Sequence, residues 1–311
     1  MRLPIYTLKI VFLFLGIVSL LLLGTLAVLA QQKVTPEEWQ ALFNGKNLEG
    51  WDIKISGHEL NDNYKNTFRF EDGMVRISYD EYQQFDDKYG HMYYQKPFSY
   101  YKLRFQYRFT GNQIPGGATW NVRNSGIMYH SQSAQSLTLN QDFPVSLEFQ
   151  TLGGLGTGER HTGNLCTPGT IVHTNGQLNH NHCLDSNSKT YNGDGWVKAE
   201  IIVLGDSIIK HIIEGDTVFT YTKPQIGEAS WAQGKEDAYT KEWKSKNGMA
   251  LKEGYIALQA ESHPIDFRNV EILNLKGCTD PKAKGYKSYY VVSDNKPCQY
   301  SFGEKLKQIF R

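Results

Sequence analysis

Between Gly254 and Leu275 the chain reads GYIALQAESHPIDFRNVEILNL, and this stretch restricts the fold more than any other. Ile256, Leu258 and Ala260 alternate with Tyr255, Gln259 and Glu261. A period of two requires an extended strand with one apolar face. His263-Pro264 interrupts the run, because proline lacks a ladder donor, and Phe267–Ile272 resumes it with β-branched residues. The two segments place Gln259, Glu261 and Arg268 on rigid elements at or near one surface.

The rest of the chain repeats the pattern. In Phe98–Thr110, Tyr101, Leu103, Phe105, Tyr107 and Phe109 share a face; Asn124–His130 and Val145–Leu152 read as strands, and Trp196–Tyr221 as three more. Asn66–Ser78 reads as a hairpin turning at Asp72-Gly73. Thr35–Leu42 carries a capping box, Thr35 with Glu38, and predicts a short helix. Gly153–Asp194 reads as a long loop rich in Gly, Asn, His and Thr, and residues 223–250 as a polar excursion. Strands at regular spacing with little helix predict an all-β sandwich or jelly roll.

Residues 1–30 resemble an export signal: Arg2 and Lys9, an apolar run over Val11–Leu29, and a cleavage-like Val28-Leu29-Ala30. The run is long enough to serve instead as an N-terminal membrane anchor; either outcome places 31–311 outside the cytoplasm. Membrane contact is expected only through residues 1–30. Removing them turns the formal charge from +1 to −1, and no basic stripe with interleaved aromatics points to nucleic acid. Four cysteines in an exported chain predict two local disulfides, Cys166–Cys183 and Cys278–Cys298. Zinc is the rival for Cys183, with His180 and His182 beside it, although the chain has no CxxC. The expected organisation is a signal or anchor (1–30), one sandwich domain (31–276) and a disulfide-stapled tail (277–311).

Five short motifs then fall in a specific order: Leu42–Trp51 (LFNGKNLEGW), Asn124-Ser125-Gly126-Ile127, Glu148-Phe149-Gln150, the set Trp196, Gly205, His211 and Gly215, and Leu258–Glu261 with Phe267-Arg268-Asn269. Together they resemble the 3-keto-disaccharide hydrolase family, also described as 3-keto-glucoside 1,2-lyase and 3-keto-2-hydroxyglucal hydratase domains. The resemblance covers about residues 41–275 and implies a concanavalin A-like jelly roll, in agreement with the strand pattern. The chain departs from the family pattern at His130, where many members carry Arg, at Glu214-Gly215, and in the length of the 153–194 loop. The tail sequence Gly277–Pro281 (GCTDP) resembles appendages of secreted Bacteroidetes-type proteins, which implies the periplasm or outer surface of a Gram-negative bacterium.

The resemblance implies a glycoside or oligosaccharide already oxidised at C3, and so a separate oxidoreductase that supplies it. A ketone at C3 acidifies the C2 proton; the resulting enolate can expel the C1 substituent, and water can then add to the enone. Such a site needs a base near C2, a stabiliser for the enolate oxygen and an acid for the leaving oxygen. Glu148 is a candidate base or metal ligand, with Gln150 on the same face; the bland alternative is an exposed salt-bridging Glu. Gly126 leaves room for a sugar and Asn124 can bond hydroxyls. His130 is an acid–base candidate or a rim histidine, and Arg123 an enolate stabiliser or an ordinary loop arginine. Gln259 and Glu261 occupy matched positions, with Arg268 a substrate contact or a buttress for Glu261. His211 either faces the site or is a satisfied sheet histidine. His161 and His173, with His180 and His182, could cap the site or bind a divalent cation. No motif demands a cofactor, and a divalent metal ion stays open.

Two other function classes compete. A two-carboxylate glycosidase is disfavoured, because the alternating E-x-D-x-x-E strand signature is missing. A non-catalytic lectin suits a tyrosine-rich sandwich (19 Tyr) equally well, since every polar candidate could simply bind hydroxyls.

Overall fold

Alternation along Tyr100–Phe109 is realised with odd-numbered side chains buried and even-numbered ones toward solvent, and this strand sits in the middle of the larger of two sheets. The computed structural model describes residues 34–227, 238–294 and 298–303. Residues 1–30, and with them the expected export segment, lie outside the described residues. The chain divides into two compact units, Glu37–Lys276 and a second one built from the flanking segments.

In chain order the strands of Glu37–Lys276 are β1 (Gln40–Ala41), β2 (Trp51–Ile55), β3 (Phe68–Glu71), β4 (Met74–Ile77), β5 (Gly90–Tyr94), β6 (Tyr100–Phe109), β7 (Asn124–Ser131) and β8 (Leu147–Leu152). They continue with β9 (Asn164–Cys166), β10 (Thr170–Thr174), β11 (Gln177–Asn179), β12 (Cys183–Leu184), β13 (Val197–Leu204), β14 (Ile208–Ile213) and β15 (Asp216–Ile226). A helix α1 (Ala238–Lys244) precedes β16 (Tyr255–Ala260) and β17 (Ile265–Asn274). The larger sheet runs β11-β10-β15-β14-β13-β6-β17-β4-β3, with β1 paired to β17; the smaller runs β12-β9-β8-β7-β16-β5-β2. The molecule is an all-β jelly-roll sandwich.

The core lies between the sheets. Phe105 of β6 meets Phe149 of β8 edge to face at 5.5 Å, and Ile127, Leu258, Phe267 and Leu103 are fully buried around them. Each such side chain stabilises the fold by roughly 1.5–3 kcal/mol relative to exposure. Hairpin chemistry holds the edges: Asp72-Gly73 and Glu214-Gly215 both adopt two successive positive φ angles (52° and 74°, 50° and 94°), the geometry of a tight strand-to-strand turn.

Two expectations are corrected. Thr35–Leu42 is not a helix. Gln40 and Ala41 pair with Ile272 and Glu271, the Leu42 N–H donates to the Val270 carbonyl, and the Trp39 ring lies 4.0 Å under the Arg104 guanidinium. Eight residues are too few to sustain a helix on a capping box alone, and sheet pairing takes their backbone groups. Nor is 153–194 a plain loop: it contains β9 to β12, short strands whose Thr, Asn and His composition hides their alternation.

Both expected disulfides are formed, Cys166–Cys183 tying β9 to β12 and Cys278–Cys298 closing the second unit. Zinc at Cys183 is thereby overturned, since both thiols of that loop are oxidised. In the second unit Thr35 and Ser288 exchange hydrogen bonds, and the Tyr300 hydroxyl donates to Asp280. Among the described residues no helix is long and apolar enough to cross a membrane.

Candidate active site

The period of two along β8 sends Leu147, Phe149 and Thr151 into the core and turns Glu148 and Gln150 to the opposite face of the smaller sheet. Strand register extends that face sideways. Glu148 stands opposite Met128 of β7 and Cys166 of β9; Ala257 of β16 stands opposite Met128 and Tyr93; Gln259 stands opposite His91 of β5. Paired residues share a face, so Tyr93, Ala257, Met128, Glu148 and Cys166 form one row. His91, Gln259, Gly126, Gln150 and Asn164 form the next.

Part of this face is roofed. Ala134 and Leu137 from the 132–143 segment pack on Tyr93, Met128 and Ala257 as a small apolar cluster. Lys54 pins the segment by donating to the Leu139 carbonyl at 3.0 Å. The Cys166–Cys183 bridge forms the wall beside Glu148.

Glu148 and Glu261 are both buried here. An added Cβ on Gly126 would lie 2.5 Å from Glu148 Oε1; the glycine makes room for the carboxylate rather than for a sugar. Burial pushes the Glu148 carboxyl up to about 8. Glu261 is held well above the usual carboxylate range, first by burial and then by the charge of Glu148, against the opposing pull of Arg160. Two buried carboxyl groups that cannot readily both ionise share the proton load, and both are held above the usual carboxylate range. Arg160 is fixed by donating to the Gly153 and Arg123 carbonyls at 2.7 and 3.2 Å.

Several other buried polar atoms have no hydrogen-bond partner among the described residues: Gln259 Oε1 and Nε2, Asn124 Oδ1, Asn121 Oδ1, His91 Nε2, Glu261 Oε2 and both ring nitrogens of His263. Unmade bonds at buried groups are costly, and a polar ligand that reached these atoms could supply them. Burial holds His91 at about 3 and His263 at about 4, so both rings are neutral near pH 7.

The structure thus brings together Glu148, Gln150, Asn124, Gln259 and Glu261. Gln150 accepts a bond from Asn164 at 3.2 Å. The other candidates are engaged by other groups or lie on the larger sheet. His130 sits at a bulge with φ +46°, pressed against Gly254, and its Nε2 lies 3.0 Å from the Gly205 carbonyl of the other sheet. Arg268 belongs to β17 in the larger sheet, bonded to Gln106 and stacked 3.9 Å over Trp196, so it does not buttress Glu261. His211 is a satisfied core histidine, between the Gly163 carbonyl (2.9 Å) and the Tyr129 hydroxyl (2.7 Å). Arg123 is engaged by Asp194 and the Gly193 carbonyl. His161 bonds the Ser188 carbonyl, and His173 lies on β10 of the larger sheet. Among the described residues no cluster of three His, Cys, Asp or Glu side chains could hold a metal ion. Sequence reading missed Arg160, His91, His263 and Asn121, which lie in loops or on a strand too short for its periodicity to stand out.

A family model described as a 3-keto-alpha-glucoside-1,2-lyase-like domain matches residues 38–273. The chain belongs to this family. No curated protein matches. Among solved structures, two Parabacteroides distasonis proteins described as candidate glycosyl hydrolases are similar: one at 17% identity, 76% of this chain and 100% of that chain, TM-score 0.45, and one at 19%, 76% and 94%, TM-score 0.44. A Bacillus subtilis protein of unknown function with a galectin-like fold is similar at 10% identity, 73% and 90% coverage and TM-score 0.43. Membership rests on the family model and not on these structures.

Proposed function

We propose that this family member is an exported enzyme that cleaves 3-keto-glycosides by elimination, with Glu148 as base and Glu261 as acid. The observation that supports this reading is the buried Glu148–Glu261 pair among unpartnered amide groups. Glu148 takes the C2 proton; the electron pair left behind forms the C1=C2 bond, the C1–O bond breaks, and Glu261 gives its proton to the departing oxygen. The Gln259 amide N–H is free to donate to the C3 oxygen, where enolate charge collects, and Asn124 to bond a hydroxyl. Arg160 steadies the carboxylate that Glu261 becomes. The apolar roof at Ala134 and Leu137 keeps the local dielectric low, which strengthens each of these interactions. Addition of water to the enone by the same pair in reversed roles would complete a net hydrolysis.

Two formed disulfides fit an oxidising compartment, and we place the protein in the periplasm or on the outer surface of a Gram-negative cell, with a separate oxidoreductase supplying the keto sugar. The test is to incubate the protein with a 3-keto-glucoside and, separately, the unoxidised glucoside in deuterium oxide and to follow both by NMR. Cleavage of the keto sugar alone, through an enone or with deuterium at C2, and its loss in Glu148→Gln and Glu261→Gln, is the expected result. Binding without turnover would leave a lectin, and cleavage of the unoxidised glucoside would overturn the elimination.

A further inference from the structure

Among the described residues, only Ser262 and His130 combine a positive φ, near-complete burial and a side chain on a residue other than Asn, Asp or Gly. His130 is accounted for by its bulge. Ser262 has φ +68°, is fully buried and directly follows Glu261. A residue with a Cβ is strained in the left-handed region, and it persists there only where its surroundings hold it.

The hold is complete. Residues 261–264 carry the chain from β16 in the smaller sheet to β17 in the larger, and all three polar groups of Ser262 are taken on the way. Its N–H donates to the Tyr79 hydroxyl at 2.8 Å, its carbonyl accepts from the Ile114 N–H at 3.1 Å, and its Oγ accepts from Gln113 Nε2 at 2.9 Å. Gly117 closes over the side chain so tightly that a Cβ there would lie 2.4 Å from Ser262 Oγ. The holding groups are joined to one another. Tyr79 packs edge to face on Phe85 at 6.0 Å, the Phe85 N–H donates to the Pro115 carbonyl at 2.9 Å, and Gln113 Nε2 also donates to the Ala118 carbonyl at 2.7 Å. Glu261 Oε2, by contrast, is buried with no partner among the described residues, so the backbone beside it is the firmer constraint.

We propose that Ser262 is a positioning residue, held in the left-handed region by Tyr79 and the 113–118 segment so that the Glu261 carboxyl is kept beside Glu148. This rests on the reading of Glu261 as the acid at the leaving oxygen. Released from that hold, Ser262 returns to negative φ and turns Glu261 away. Charge ties Glu261 to Glu148 and Arg160, and to the phenols of Tyr79 and Tyr89, so a change in its placement is readable in its titration.

The experiment labels glutamate carboxyl carbons with ¹³C and follows the Glu261 signal, assigned with Glu261→Gln, against pH, alongside turnover of a 3-keto-glucoside. Glu148→Gln, which removes the neighbouring charge, is expected to lower the Glu261 midpoint in otherwise wild-type protein. Tyr79→Phe removes no charge, because the phenol stays neutral throughout the carboxyl range. In that variant the response to Glu148→Gln is expected to fall to less than about half. Adding Ser262→Gly to Tyr79→Phe is expected to restore most of it, since glycine takes positive φ without strain. Turnover is expected to follow the same order: kcat about tenfold lower in Tyr79→Phe, KM within about twofold, and recovery in the double variant. An undiminished response in Tyr79→Phe, or no recovery on adding Ser262→Gly, would overturn the positioning role and leave a contact that only supports the fold. No response to Glu148→Gln in the wild-type background removes the carboxyl pair and the proposal with it. If Tyr79→Phe does not fold, Gln113→Ala takes its place in the same comparison. A wild type that turns over no keto-glucoside, yet shows the response and its rescue, loses the elimination and keeps Ser262 as the residue that places the carboxyl.

Discussion

A carboxyl group whose burial outweighs the pull of a nearby cation holds its proton, and Glu261 is such a group. Burial and the charge of Glu148 raise it, and Arg160 alone lowers it. Replacing Arg160 with Met removes that opposing charge, so Glu261 keeps its proton to still higher pH. The alkaline limb of the kcat/KM profile, set by loss of the acid's proton, is expected to move upward in pH; an unmoved limb would remove Glu261 from the acid role. The histidines show why residue type alone does not find a site. His211 has both nitrogens bonded in the core, and His130, with Nδ1 unbonded, is turned by its Nε2 to Gly205; His91 and His263, which no motif marks, carry their unbonded ring nitrogens beside Gln259 and Glu261. A neighbour's position, and not the sequence around the residue, decides which histidine is free.

Among the elements, β8 and β16 behave as their alternation requires, which is why Glu148 with Gln150, and Gln259 with Glu261, were each legible as a pair on one side of an extended run. β7 does not, because the bulge at His130 shifts the side-chain parity after Met128, and one extra residue on a strand leaves no trace in composition. Thr35–Leu42 misled for a related reason: a capping box is a local signal, and pairing with β17 outweighs it. The short β9 and β12 depend on their bridge. Opening the 17-residue separation of Cys166 and Cys183 by a double Ser substitution is expected to cost about 3 kcal/mol of stability, read from urea unfolding. It is expected to lower activity as well, since Cys166 stands opposite Glu148. Full stability in the double variant would show that β12 is held by its ladder alone.

At the scale of the molecule, buried titrating groups of two kinds set opposite slopes of stability against pH. Glu148 and Glu261 bind protons more tightly folded than unfolded, so stability falls as pH rises from the usual carboxylate range toward about 8. His91 (about 3), His130, His211 and His263 (each about 4) are held neutral below their ordinary 6.5, so stability present above that value is lost as pH falls through the window between. Four histidines outweigh two carboxyls on the acid side, and the carboxyls act alone on the alkaline side. The unfolding midpoint is expected to peak near pH 6.5. Glu148→Gln is expected to flatten the alkaline decline and to steepen the rise between the usual carboxylate range and pH 6.5. A wild-type midpoint that stays flat from pH 6.5 to 8 would contradict the buried pair.

The sequence by itself determined the sandwich, both disulfides, the family and the alternation that pairs Glu148 with Gln150 and Gln259 with Glu261, because alternation, cysteine number and ordered short motifs are all properties of neighbours along the chain. Tertiary structure alone decided that Arg268 and His211 lie on or inside the other sheet, that His130 turns away at a bulge, and that Arg160 and Asn121 come to the site from loops. Those placements follow from sheet order, register and loop path, which depend on contacts between residues far apart in the chain.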